Sequence, residues 1–232
     1  MSKLETSQDP APRAPRWAWW VATGFGSGRL KPAPGTWGSL AALLTWLVFT
    51  VLVVMPFASW ALRHPSPPRL FMGYGALQIA TPFSGLSLPA TASWGLVCGY
   101  WAFEGLFLLL PLLMTWFGVK ASGFVVRETG LKDPSFIVAD EWAGLWIALW
   151  PVRWHLALNL PLTLGQGGWR ILPLLFVPFL LFRLFDIWKP WPIHQIQVLP
   201  GGQGIMADDV VAGLYALLVT QAVMPILLQS LH

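Results

Sequence analysis

An all-α, membrane-embedded helical bundle is what this sequence predicts, and three observations carry that expectation. Of its 232 residues, 56% are hydrophobic and only 10% are charged, against roughly 25% charged in an ordinary soluble domain. The apolar residues gather in runs of membrane length separated by polar, Pro- and Gly-rich blocks. Sixteen Trp match the aromatic belts that sit at bilayer interfaces. Four to five spanning helices are expected, in one membrane-embedded domain over 17–232 that follows a polar, Pro-rich and disordered tail at 1–16. That tail has no apolar core with a small-residue cleavage site, so no signal peptide is expected.

Taken in order, the glycines and prolines of Thr23–Ser39 break any regular helix until Thr36. Thr36 is the expected N-cap of a first span, Leu40–Met55. Residues 57–93 read as a connection, with a short interfacial helix near Phe71–Ile79. Trp94–Phe117 is the second span, with Glu104 near its middle, and Val119–Pro134 reads as a polar loop. Phe136–Trp150 is the third span, interrupted near its start by Asp140 and Glu141. After a loop at Val152–Trp169 come a short fourth span, Ile171–Phe182, and a fifth, Val210–Leu228. A turn at Lys189–Gly204 joins the last two. No internal repeat is present.

The basic residues orient this map. With the N-terminus in the cytoplasm, ten Lys and Arg fall on the cytoplasmic side and four (Arg63, Arg69, Arg153, Arg170) on the other, as the positive-inside rule requires. The net charge of +4 is spread over loops and reads as topology, not nucleic-acid binding. Residues 23–39, 133–141 and 183–209 then share one face, and one site at the cytoplasmic interface is expected from three separated segments.

The chemistry lies in those segments. Asp140, Glu141, Asp186, Asp208 and Asp209 stand at membrane boundaries, where unpaired acids are costly unless they hold something positive. Carboxylate oxygens suit a hard cation such as Mg²⁺, which keeps waters and takes phosphate oxygens. The single cysteine, Cys98, excludes an intrachain disulfide and a Cys-based metal site. Position 104, six residues on, is Glu and not the Arg a cysteine phosphatase needs, so Cys98 reads as packing. For any one acid, pairing with Arg183, Lys189 or Lys132 is the plainer reading; for five converging on one side, a metal site is preferred. On a continuing helix, Arg183, Asp186 and Lys189 share a face and would present a ligand and two cations to a phosphate.

Gly24, Gly26, Gly28 and Gly35 free backbone amides, Thr36 and Ser39 stand at a helix start, and Lys31 is a nearby cation. The segment reads equally as a phosphate cradle or a plain helix entry. It is no Walker loop, because no Gly-Lys-Ser/Thr closes it. Glu104 reads as a packing acid facing the bundle, with a functional role kept open. His155 and His194 read as interfacial, His194 as a solvated loop residue, and Pro190–Trp191–Pro192 as a rigid turn.

GFGSGRLKPAPGTWGSL, DPSFIVADEWAG, and FRLFDIWKPWPI followed by GGQGIMADDVVAG resemble, in order, the signature blocks of the bacterial phosphatidylglycerophosphatase A family. The resemblance implies an all-helical bundle that hydrolyses phosphatidylglycerophosphate to phosphatidylglycerol and phosphate with Mg²⁺, at the inner face of the cell membrane. It also implies Asp140, Glu141, Asp186, Asp208 and Asp209 as catalytic and metal-holding acids. Lys31, Thr36, Ser39, Arg183 and Lys189 are its phosphate-side candidates. A spare carboxylate, Glu141 or Asp209, would orient the attacking water, with a covalent aspartyl-phosphate left open. The chain departs from the family pattern between Leu43 and Lys120, which is longer than typical. Two other readings stand beside this one. A membrane phosphatidyl- or phosphoglycosyl-transferase would want an Asp-x-x-Asp-Gly array that Asp186, Asp208 and Asp209 do not supply. A divalent-cation transporter would want polar residues along a path through the spans.

Overall fold

The computed structural model describes residues 12–54, 56, 94–153 and 169–229. Among these the only regular structure is helical. The expected helix near Phe71–Ile79, most of the 1–16 tail, and His155 lie outside the described residues.

A short helix, α1 (Arg16–Ala22), precedes the Gly-rich segment. Helix α2 (Pro34–Phe49) starts two residues before the expected N-cap. Pro34 has a fixed φ suited to the first helical position and gives up an amide that has no partner there anyway. Thr36 therefore sits inside the first turn. A π-helical turn, Thr50–Val54, extends α2 so that Pro34–Val53 is long and apolar enough to span.

Helix α3 (Trp94–Thr129) does not end at Phe117. Nothing between Val119 and Thr129 breaks a helix, so the expected loop is helical until Gly130. That glycine takes φ +68° and donates its N–H to the Val126 carbonyl at 2.9 Å, a left-handed helix stop. Helix α4 (Ala139–Ala148) has ten residues, about 15 Å, and is too short to span. Helix α5 (Leu172–Trp188) runs six residues past the expected end of its span. A single turn, α6 (Ile193–Ile196), leads to α7 (Gly202–Gln229), which begins eight residues earlier than expected. Among the described residues three helices, Pro34–Val53, Glu104–Thr129 and Gly202–Gln229, are long and apolar enough to cross a bilayer, where four to five were expected over the whole chain.

Helix α7 packs along α4, α5 and α3, while α4 also packs on α2. The core collects Trp46, Phe107, Val138, Trp142, Leu145, Phe182 and Met206. Close helix approach comes from glycines. A Cβ on Gly213 would fall 2.9 Å from the Gly144 Cα, and one on Gly144 would meet the Asp209 carbonyl at 2.5 Å. This crossing brings the N-terminal ends of α4 and α7 together, and both ends carry paired acids.

Candidate active site

Asp140 and Glu141 occupy the first turn of α4, where carboxylates favour the helix dipole. Asp208 and Asp209 lie in the second turn of α7 and are buried, at 5% and 3% exposure. Asp140, Glu141 and Asp209 each offer a carboxylate oxygen within 4.8 Å of the other two. The remaining two acids are tied to cations. Arg183 Nη1 stands 2.7 Å from Asp186 Oδ2, one turn along α5, and 3.8 Å from Glu141 Oε1. Lys189 Nζ donates to Asp208 Oδ2 at 2.8 Å, and Gln197 Nε2 donates to the same oxygen at 2.8 Å.

Lys189 reaches Asp208 by a route the sequence does not suggest. It is not on a continuing helix with Arg183 and Asp186; α5 stops at Trp188, and Lys189 takes the left-handed conformation with φ 48°. That turn swings its side chain off the helix face and toward α7.

All five acids line one cavity of about 650 Å³. Gly35 and Thr36 from α2, Lys132 and Ser135 before α4, Arg183 and Lys189 from the end of α5, and Gln197 also line it. Three separated blocks of chain thus meet in one place. Gly35 leaves room for both side chains: a Cβ would crowd Glu141 Oε1 and lie 3.4 Å from the Arg183 guanidinium, so those side-chain ends would have to shift. Lys31 and Ser39 are not among the lining residues. Lys31 is exposed, and Ser39 is buried with its hydroxyl donating to the Gly35 carbonyl at 2.9 Å. Gly24 and Gly28 are packing glycines rather than a cradle for this cavity, since their Cβ atoms would strike the Trp142 indole and the Phe136 carbonyl. His194 is exposed. Lys132 enters the cavity as a lining residue where the sequence offered it as a partner for an acid, and Gln197 carried no signal in a single sequence, because a polar residue in a loop has no distinguishing pattern.

The electrostatics of the cavity are strained by excess negative charge. Burial, then the neighbouring Glu141 charge, raises the Asp140 carboxyl well above the usual carboxylate range. Burial is also the main cause that pushes Glu141 to about 8; Asp209 and Asp186 add to it, while Asp140 hydrogen bonding and Arg183 oppose it. Burial works against the Lys189 charge, but its bond to Asp208 and the surrounding carboxylates outweigh that and raise its pKa. Glu141 Oε2 and Asp208 Oδ1 are buried with no hydrogen-bond partner among the described residues. Orphaned carboxylate oxygens beside clustered acids fit a hard divalent cation. The set offers no His or Cys, which Zn²⁺ sites favour.

Glu104 is held elsewhere. It pairs with the buried Arg153, which also donates to the Trp150 carbonyl and lies over the Trp150 ring at 5.0 Å. Neither residue lines the acidic cavity.

The sequence model of the phosphatidylglycerophosphatase A family matches residues 68–224. The chain belongs to that family. Relatives agree over most of its length. A Bacteroides thetaiotaomicron protein provisionally named phosphatidylinositol-3-phosphatase is 30% identical, over 84% of this chain and 86% of that protein. The phosphatidylglycerophosphatase A of Escherichia coli K12 is 29% identical, over 83% of this chain and 75% of its own. That of Haemophilus influenzae is 28% identical, over 88% and 86%. No solved structure matches. Membership in the phosphatidylglycerophosphatase A family makes the chain a phosphatase, and its apolar helices agree with a membrane location.

Proposed function

We propose that this protein is a Mg²⁺-dependent lipid phosphomonoesterase that hydrolyses phosphatidylglycerophosphate to phosphatidylglycerol and phosphate. One observation carries the reading: the Asp140, Glu141 and Asp209 carboxylates converge within 4.8 Å in a cavity that also holds Arg183 and Lys189, in a chain of this family. Asp140, Glu141 and Asp209 would hold the ion. The chemistry such an ion would supply is neutralisation of the charge that develops on the phosphoryl group.

The protein's own groups do the rest. Arg183 and Lys189 line the same cavity as the acids, so each would turn a donor to a phosphate oxygen while still balancing Asp186 or Asp208. Thr36 adds a hydroxyl at the cavity wall. A water oxygen forms a new bond to phosphorus as the bond to the glycerol oxygen breaks. The second carboxylate oxygen of Glu141 or Asp209, not used to hold the ion, would take the water proton, and the departing glycerol oxygen takes a proton from solvent. The lipid chains remain in the bilayer beside α2, α4 and α7, while the headgroup reaches the cavity. The cytoplasmic face of the inner membrane is the proposed location on the family reading, since the basic-residue asymmetry belongs to a five-span map that the short α4 does not support.

A related headgroup is the competing substrate. Phosphatidylinositol 3-phosphate also presents a phosphomonoester beyond a phosphodiester, and one relative bears its phosphatase name. Transferase and cation-transport readings are not favoured: the acids cluster in one cavity instead of lining a path, and Glu104 is engaged by Arg153.

The test is phosphate release by the purified protein from each of the two lipids, with and without Mg²⁺, beside an Asp209→Asn variant. Release from phosphatidylglycerophosphate that needs both the metal and the acid is expected. Faster turnover of the inositol lipid would reassign the substrate. No release from either lipid by folded, monodisperse protein would overturn the reading.

A further inference from the structure

A second cavity lies beside α1, away from the acids. It measures about 440 Å³ and is lined by Arg16, Trp19, Trp20, Thr23, Phe25, Gly26 and Arg29. Its lining carries two arginines and no acid, and neither arginine forms an ion pair among the described residues. Its apolar wall is aromatic and outward-facing: Trp20 is 62% exposed and Phe25 is 56% exposed. Phe25 adopts the left-handed conformation, φ 55°, which is uncommon for a bulky residue and marks stored strain at sites with a use.

Side-chain contacts tie this neighbourhood to the rest of the fold. Trp19 Nε1 donates to Glu128 Oε2 at 2.9 Å and its ring stacks on Phe136 at 5.6 Å. The Thr23 hydroxyl donates to the Trp19 carbonyl and accepts from the Gly26 amide. The spanning run of α2 begins at Pro34, five residues after Arg29. The cavity therefore stands where chain enters the bilayer, at the level where Trp and Arg collect.

We propose that this cavity binds an anionic phospholipid of the surrounding leaflet, distinct from the substrate, with its phosphate between Arg16 and Arg29 and its upper acyl chain against Trp20 and Phe25. Cations beside exposed aromatics match a molecule that is charged at one end and apolar at the other. A soluble anion would leave the aromatic wall unused. The bound lipid also buttresses the acidic cavity. The Phe25 ring packs on Trp142 at 5.3 Å, and Trp142 directly follows Glu141 in α4.

Native mass spectrometry of the full chain, released from micelles carrying equal phosphatidylglycerol and phosphatidylcholine, tests this. Wild type, Arg16→Gln/Arg29→Gln and Arg16→Lys/Arg29→Lys are compared. Wild type should retain phosphatidylglycerol in preference to phosphatidylcholine, and 1 M salt should weaken that preference. The glutamine pair should lower retention by tenfold or more, on the order expected for two interfacial cations, and the lysine pair should restore most of it. Any product lipid in the acidic cavity is common to all three proteins and cancels in the comparison. Equal retention by wild type and the glutamine pair would overturn the proposal. So would equal loss of phosphatidylcholine, which would make the cavity an unselective acyl groove. Because wild type is read against salt, a glutamine pair that failed to fold would still leave a decisive result: no salt-sensitive preference in wild type also overturns it.

Discussion

Gly144 and Gly213 touch backbone to backbone, and Asp140 and Asp209 each lie four residues, one helical turn, before the glycine on their own helix. The crossing sets the distance between the two acids. A side chain at either glycine forces α4 and α7 apart. Gly213→Leu should destabilise the protein by about 1–3 kcal/mol, the usual cost of overpacking a close contact. It should also lower phosphate release far more than Leu214→Ala on the same helix. Thermal unfolding in detergent and turnover, measured together, check both; a Gly213→Leu protein with normal activity would separate the crossing from the site.

A cation held by the three clustered carboxylates would relieve the crowding of their charges. Mg²⁺ should therefore raise the melting temperature of wild type, since a ligand that binds only the folded state stabilises it. Asp140→Asn and Asp209→Asn should each abolish most of that rise and lower turnover by roughly a hundredfold or more, the scale of losing one electrostatic stabiliser. Removal of divalent ions with a chelator should stop wild-type turnover, and restored Mg²⁺ should recover it. A Mg²⁺-dependent stabilisation that survives in both variants would place the ion elsewhere.

Lys189 balances an Asp208 that is almost fully buried. Lys189→Met should cost about 1–3 kcal/mol by leaving that carboxylate unpaired. Adding Asp208→Asn should return part of the stability without returning activity. The double-mutant cycle, read by unfolding, measures the coupling; additive effects would show that the pair is not a unit.

Glu104 and Arg153 make a buried pair remote from the acidic cavity. Removing one partner of such a pair typically costs about 3–5 kcal/mol. Glu104→Gln should lower the melting temperature, yet the protein that remains folded should keep its specific activity. A loss of turnover per folded molecule would give Glu104 a part in the reaction.

The helices long and apolar enough to cross a bilayer were readable because a run of that length has few alternatives in water or lipid. Their ends were not. Val119–Thr129 is polar enough to pass for a loop, but helix propensity continues until Gly130 offers a left-handed stop. The α7 start at Gly202 likewise follows from packing, since a Cβ there would meet the Val119 backbone of α3 at 2.9 Å from its carbonyl carbon.

The sequence by itself determined the helical, membrane-embedded class, the family, and the identity of the acids, because composition and motif are one-dimensional properties. Only the tertiary structure divided those five acids into a cluster of three (Asp140, Glu141, Asp209) and two held by cations (Asp186, Asp208). It also moved Lys31 and Ser39 off the cavity and brought Gln197 and Lys132 onto it. Spacing along a helix says which residues share a face. The crossing at Gly144 and Gly213, and the turn at Lys189, decide which faces meet, and that depends on contacts between residues far apart in the chain.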